Sequence, residues 1–130
     1  MGKMMRVAIA GLVAANVLAL APQALARGGD RVERRGRCSA GHVWKLKAQT
    51  EDGNKLEVEF EVDVNRSGHK WRVVLKDNGV QVASGYRITQ PPSGSFEFEK
   101  LIRNRPGTDR IQARGRSLVT GEVCNASLSI

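Results

Sequence analysis

The chain has 130 residues, with 21 Lys and Arg against 13 Asp and Glu, a formal charge of +8. A chain of that size builds one domain around one modest core, and its two cysteines and two histidines fall short of a ready metal-ligand set. His42 and His69 are the only candidate bases near neutral pH, which narrows the room for an enzyme.

Residues 1–26 read as an export signal. Lys3 and Arg6 give a positive start, and "VAIAGLVAANVLALA" is an apolar run too short and Ala-rich to span a bilayer comfortably. Pro22 breaks the run, and Ala24-Leu25-Ala26 supplies a small-x-small cleavage pattern. Cleavage there leaves 104 residues starting at Arg27, with a formal charge of +6 and no transmembrane segment. A secreted, extracellular protein is expected.

Residues 27–37, "RGGDRVERRGR", set Arg27, Arg31, Arg34, Arg35 and Arg37 against Asp30 and Glu33, a net +3. Val32 is the one apolar residue, so the composition predicts a flexible basic arm. Such an arm either docks on an anionic polymer of the cell envelope or serves as a soluble leader. Cys38 and Cys124 follow as the only cysteines, and in an exported chain an isolated pair is most simply one structural disulfide.

From residue 38 to 130 the chain alternates apolar and polar residues in seven short segments bounded by turn chemistry. "HVWKLKA" aligns Trp44, Leu46 and Ala48. "LEVEFEVDV" aligns Leu56, Val58, Phe60, Val62 and Val64 against a comb of Glu57, Glu59, Glu61 and Asp63. "HKWRVVLK" aligns Trp71, Val73 and Leu75. Asn78-Gly79 is the strongest hairpin signal, since both residues tolerate the positive φ of a type I′ turn. "VQVASGYRI" follows, with Val80, Val82, Tyr86 and Ile88 read as one face. Pro91 and Pro92 then stop the pairing, because neither has an amide hydrogen to give a ladder. "SFEFEKL", "DRIQARG" and "EVCNASLSI" complete the set, the last aligning Cys124, Ala126, Leu128 and Ile130.

Seven such strands without helical spacing predict an all-β, seven-stranded immunoglobulin-like sandwich whose disulfide joins the first and last strands. Trp71 on the third segment, with Gly107, Asp109, Ile111 and Ala113 around the sixth, resembles the organisation of immunoglobulin and fibronectin type III domains. Ala113 stands where antibody-type domains carry their second core cysteine, and Val58 or Phe60 where they carry the first. The run "WRVVLKDNG", then "PSGSF", then "GTDRIQA" and a late Cys also resembles small exported actinobacterial proteins with no assigned activity. That resemblance implies the fold and leaves the function blank.

The acidic comb has a competing explanation. Were the second and third segments a hairpin with Val64 opposite His69, Asp63 would face Lys70, Glu61 Arg72 and Glu57 Lys76. An immunoglobulin-type sandwich puts those segments in different sheets, and the sandwich is preferred. Carboxylates about 6.8 Å apart along one strand are too dispersed to hold calcium, so the comb is read as a solvated face.

No nucleophile elbow, zinc-protease helix or phosphate loop occurs, so no catalytic residue and no cofactor or metal is assigned. An enzyme would need a cleft holding His42 or His69 beside a carboxylate. Parity places all six aromatics in the core, which leaves no evident sugar platform. Basic residues are mixed with acids along the chain, which argues against nucleic acid. The stiff turn Gln90, Pro91, Pro92 and Ser93 is the candidate contact loop. The expectation is a secreted, monomeric, non-enzymatic binding or surface-interaction module, its partner an anionic cell-envelope polymer or an extracellular protein. A small-molecule carrier or enzyme inhibitor is the alternative.

Overall fold

The computed structural model describes residues 29–130; the expected signal segment and Arg27 lie outside them. Eight strands follow one another: β1 (Arg31–Arg37), β2 (Val43–Glu51), β3 (Lys55–Asp63), β4 (Lys70–Asp77), β5 (Val80–Ile88), β6 (Ser95–Arg103), β7 (Arg110–Ser117) and β8 (Val123–Ser129). They form two antiparallel four-stranded sheets, ordered β1-β2-β3-β6 and β5-β4-β7-β8, packed face to face as a sandwich. Period-two alternation produces this directly. Leu46, Val58, Phe60, Val73, Leu75, Phe98 and Ile111 are fully buried on the two inner faces. The β4–β5 hairpin turns at Asn78 and Gly79 with φ of 51° and 86°, as the dipeptide predicts.

The sandwich has eight strands where the sequence predicts seven, and the additional one is the segment expected to be a flexible arm. β1 pairs with β2 along its whole length, from Arg31 opposite Gln49 to Arg37 opposite Val43. Val32 packs against the core, and the bare Cα of Gly36 lets the chain lie on the Trp44 ring. Composition misleads here because an edge strand is held chiefly by backbone hydrogen bonds, which arginines supply as well as valines do. Outward, Arg31 and Arg35 reach Glu33 at 3.5 and 3.1 Å.

β3 and β4 lie in opposite sheets, so the hairpin register between them does not form. β3 is bonded to β2 on one side and β6 on the other. Asn65 and Gly68, both at positive φ, carry the chain across the top of the sandwich.

A third difference concerns β5. Leu75 is opposite Ala83 but Lys76 is opposite Gln81, so Val82 is an extra residue in the strand. The bulge breaks the parity beyond it. Tyr86 and Ile88, expected in the core, point outward and are 49% and 48% exposed, while Arg87 turns inward and its guanidinium lies 4.6 Å from the centre of the Phe98 ring.

Cys38, one residue past β1, bonds Cys124 in β8, with Cα atoms 4.2 Å apart. The bond ties the β1–β2 connection of one sheet to the last strand of the other.

Candidate functional site

The disulfide end of the sandwich gathers both histidines and the Gln90–Ser93 turn. The 38–42, 64–69, 89–94 and 118–122 connections all lie there. Glu122, 6% exposed, organises them: its Oε2 accepts the Ala40 and His42 amides at 3.1 and 3.4 Å, and its Oε1 lies 2.8 Å from His42 Nδ1. A carboxylate only accepts, so Nδ1 carries the hydrogen. His42 therefore does stand beside a carboxylate, but that carboxylate is occupied by the amides of the loop it anchors. The Gln90–Ser93 turn is pinned at its base. The Gln90 amide donates to the Ser95 carbonyl at 2.9 Å, the Gly94 amide to the Gln90 carbonyl at 2.8 Å, and the Val64 amide to the Gly94 carbonyl at 3.1 Å.

The largest organised chemistry is on a face rather than in a loop. Lys70, Arg72 and Lys76 are the outward residues of β4 that carry charge, and Arg110, Arg114 and Arg116 are those of β7. β4 and β7 are the two central strands of their sheet, with Arg72 directly opposite Arg116 and Val74 opposite Arg114. Neither β5 nor β8 brings an Asp or Glu to this face, and the one acid of β4, Asp77, points inward and is fully buried. Six cations therefore share one surface with no acid among them. Tyr86 stands over the same surface. Lys70 Nζ lies 4.8 Å from its ring centre and Arg72 Cζ 5.7 Å, and Arg72 Nη1 donates to its hydroxyl at 3.3 Å. A trough of about 520 Å³ crosses the sheet beside them, between Lys76, Gln81, Gln112, Arg114, Asn125 and Ser127.

Sequence reading misses this site for an identifiable reason. Taken along the chain, bases and acids are interspersed; taken by face, they separate. The signal is present in each segment, since Lys70, Arg72 and Lys76 alternate with Trp71, Val73 and Leu75. Only the pairing of β4 with β7 turns two short rows into a patch.

The opposite outer face explains the comb. On the β2 side, Lys45 and Lys47 lie 3.4 and 2.9 Å from Glu61 and Glu59. On the β6 side the comb meets its own sign, Glu61 opposite Glu97 and Glu59 opposite Glu99. A hydrogen bond from Glu97 to the Glu59 carboxylate, with desolvation and repulsion from neighbouring carboxylates, pushes Glu97 up to about 7. The same bond and that of Lys47 hold Glu59 below its usual range.

No family model and no curated protein matches the chain. Among solved structures, a chitin binding domain from Burkholderia pseudomallei is similar over 62% of this chain, with 13% identity and a TM-score of 0.37. The chain spans about half of that domain, 54% of its length. A likeness of that level supports no transfer of ligand or site.

Of the residues expected to act, Arg31, Arg34, Arg35 and Arg37 are in β1, at the edge of the other sheet from the six cations. Cys38 and Cys124 form the disulfide as expected.

Proposed function

We propose that this is an exported, non-enzymatic binding module that takes an anionic polymer of the cell envelope on the outer face of β5-β4-β7-β8. The observation that carries the reading is the set of six cations on that face with no acid among them. Lys70 and Arg72, and Arg114 and Arg116, are about 6.8 Å apart along their strands, about twice that where Val74 or Gln112 intervenes, and neighbouring strands are about 4.8 Å apart, a spacing on which a chain of phosphodiesters can place its charges. A polyanion carries a counterion atmosphere, and cations that neutralise its phosphates release part of it, a gain that falls as salt rises. Tyr86 adds a half-exposed ring flanked by two of the cations. Strand order supports an immunoglobulin-type scaffold, because β3 and β4 lie in opposite sheets and β4 pairs with β7. The carrier alternative gains nothing, since Trp71, Phe60, Phe98 and Leu46 fill the space between the sheets.

Binding to poly(glycerol phosphate), measured calorimetrically over a salt series, tests the reading. Replacing Arg72, Arg114 and Arg116 by Gln should flatten the slope of log affinity against log salt by about 2, at roughly 0.7 per lost phosphate contact. Replacing Arg31 and Arg35 should change it little. The reverse result would move the ligand to β1 and overturn the assignment of the face. Deleting residues 27–37 is not a usable test, because it removes β1.

A further inference from the structure

In the trough of about 520 Å³, carboxamide side chains stand among the cations of the basic face. The strand register sets their places. Lys76 is opposite Gln81 on one side and Gln112 on the other, and Gln112 is opposite Ser127. One row across the sheet therefore reads amide, cation, amide, hydroxyl. The adjoining row sets Val74 opposite Arg114 and Arg114 opposite Asn125. Gln81, Asn125 and Ser127 are exposed and Gln112 is half-buried, so these polar groups are open to what enters the trough.

Lys76, Gln112, Arg114 and Val74 are the corners of one four-sided unit, with the two cations on a diagonal. Strands about 4.8 Å apart and same-face residues about 6.8 Å apart make that diagonal about 8 Å. Two phosphates of one chain, each on a cation, then have their spacer between Val74 and Gln112. Val74, half-buried, gives the spacer an apolar flank. Gln112 gives it an amide, which donates and accepts as a hydroxyl does. Gln81 beside Lys76 and Asn125 beside Arg114 repeat that chemistry past each cation. A hydroxylated carbon chain suits both flanks, whereas inorganic polyphosphate has no spacer to offer them. We infer that the trough selects phosphodiester polymers with a hydroxylated spacer, Lys76 and Arg114 taking successive phosphates and Gln112 a spacer hydroxyl. This deepens the polymer reading and rests on it.

Salt separates the two claims. The counterion contribution vanishes on extrapolation to about 1 M salt, so the slope of log affinity against log salt counts phosphates and the intercept carries the hydrogen bonds. Calorimetry over a salt series gives both for poly(ribitol phosphate), poly(glycerol phosphate) and inorganic polyphosphate of matched phosphate number. Ribitol leaves more hydroxyls per unit than glycerol, and one added hydrogen bond is worth about fivefold. The intercept affinity should be about fivefold higher for the ribitol polymer than for the glycerol polymer. It should be lowest for polyphosphate, although that chain is the most densely charged. In the double variant Gln112→Met, Asn125→Leu the ribitol lead should fall below about twofold with the slope unchanged. Equal ribitol and glycerol intercepts, a polyphosphate intercept as high as theirs, or a full ribitol lead in the variant would each overturn the inference. A retained slope in those cases leaves the polymer reading standing. Absence of salt-dependent binding to all three polymers overturns that reading and this inference with it. The comparison of polymers needs only the unaltered protein, so it decides even where the variant does not fold.

Discussion

Replacing Asp77 by Asn should stabilise the fold at neutral pH. Asp77 ends β4 fully buried, and while both carboxyls are ionised neither of its oxygens has a donor. Its closest cation is Arg105 Nε at 3.7 Å, on a side chain 41% exposed, and its neighbour is the equally buried Asp109. Burial first, then hydrogen bonding with Asp109 and that residue's charge, raise Asp77 from 3.8 to about 6, against the pull of Arg105. One proton shared between the two carboxyls is the arrangement that satisfies both.

The sign follows from linkage. Because the folded state holds the proton more tightly, stability from this group is full below about 3.8 and is lost as pH rises to about 6. The loss is about 3 kcal/mol, at 1.36 kcal/mol for each pH interval of one. Asn keeps the shape, carries no charge, and offers its amide hydrogens to Asp109. Urea denaturation from pH 4 to 8 reads the effect. The two proteins should have nearly equal midpoints at pH 4, and the Asn variant should lead by about 1–3 M above pH 6.5, for a denaturant slope of about 1–3 kcal/mol per molar. A gap that does not change with pH, or an Asn variant weaker at pH 7.5, would refute the shared-proton account and make Arg105 the dominant partner.

Gly36→Ala places a Cβ about 2.6 Å from Trp44 Cε2, so the β1 strand must lift; the expected cost is about 1–3 kcal/mol, with faster amide exchange confined to residues 31–37 and 43–49. Replacing Cys38 and Cys124 by Ser opens a loop with a sequence separation of 86, and chain entropy puts the loss at about 4–5 kcal/mol, read as a lower urea midpoint that reducing agent no longer affects.

What the sequence makes legible is what depends on neighbours in the chain. Alternation locates the strands from β2 to β8, and Asn78-Gly79 fixes one hairpin. The lone cysteine pair names its own bond. What stays hidden depends on partners distant in sequence. β1 is invisible to composition because its stability comes from β2. The bulge at Val82 leaves no mark in the pattern "VQVASGYRI", yet it moves Tyr86 from the core to the surface. The comb matches two sets of cations about equally well on paper, those of β4 and those of β2, and only the sheet order chooses β2. Trp71 reads correctly as a core residue from its parity, but that its N–H lacks a partner is a property of loops that meet only after folding.

The cations of β4 and β7 also have a kinetic consequence. A body whose charge is gathered on one flat side feels a torque in the field of a charged wall, and it turns before it touches. Against the anionic polymer proposed above, first encounters would happen broadside, with the trough already toward it, so fewer collisions would be wasted. Capture rate is what such an arrangement improves most, and a modest rise in salt, which shortens the reach of the field to about 8 Å at physiological strength, is what would blunt it first.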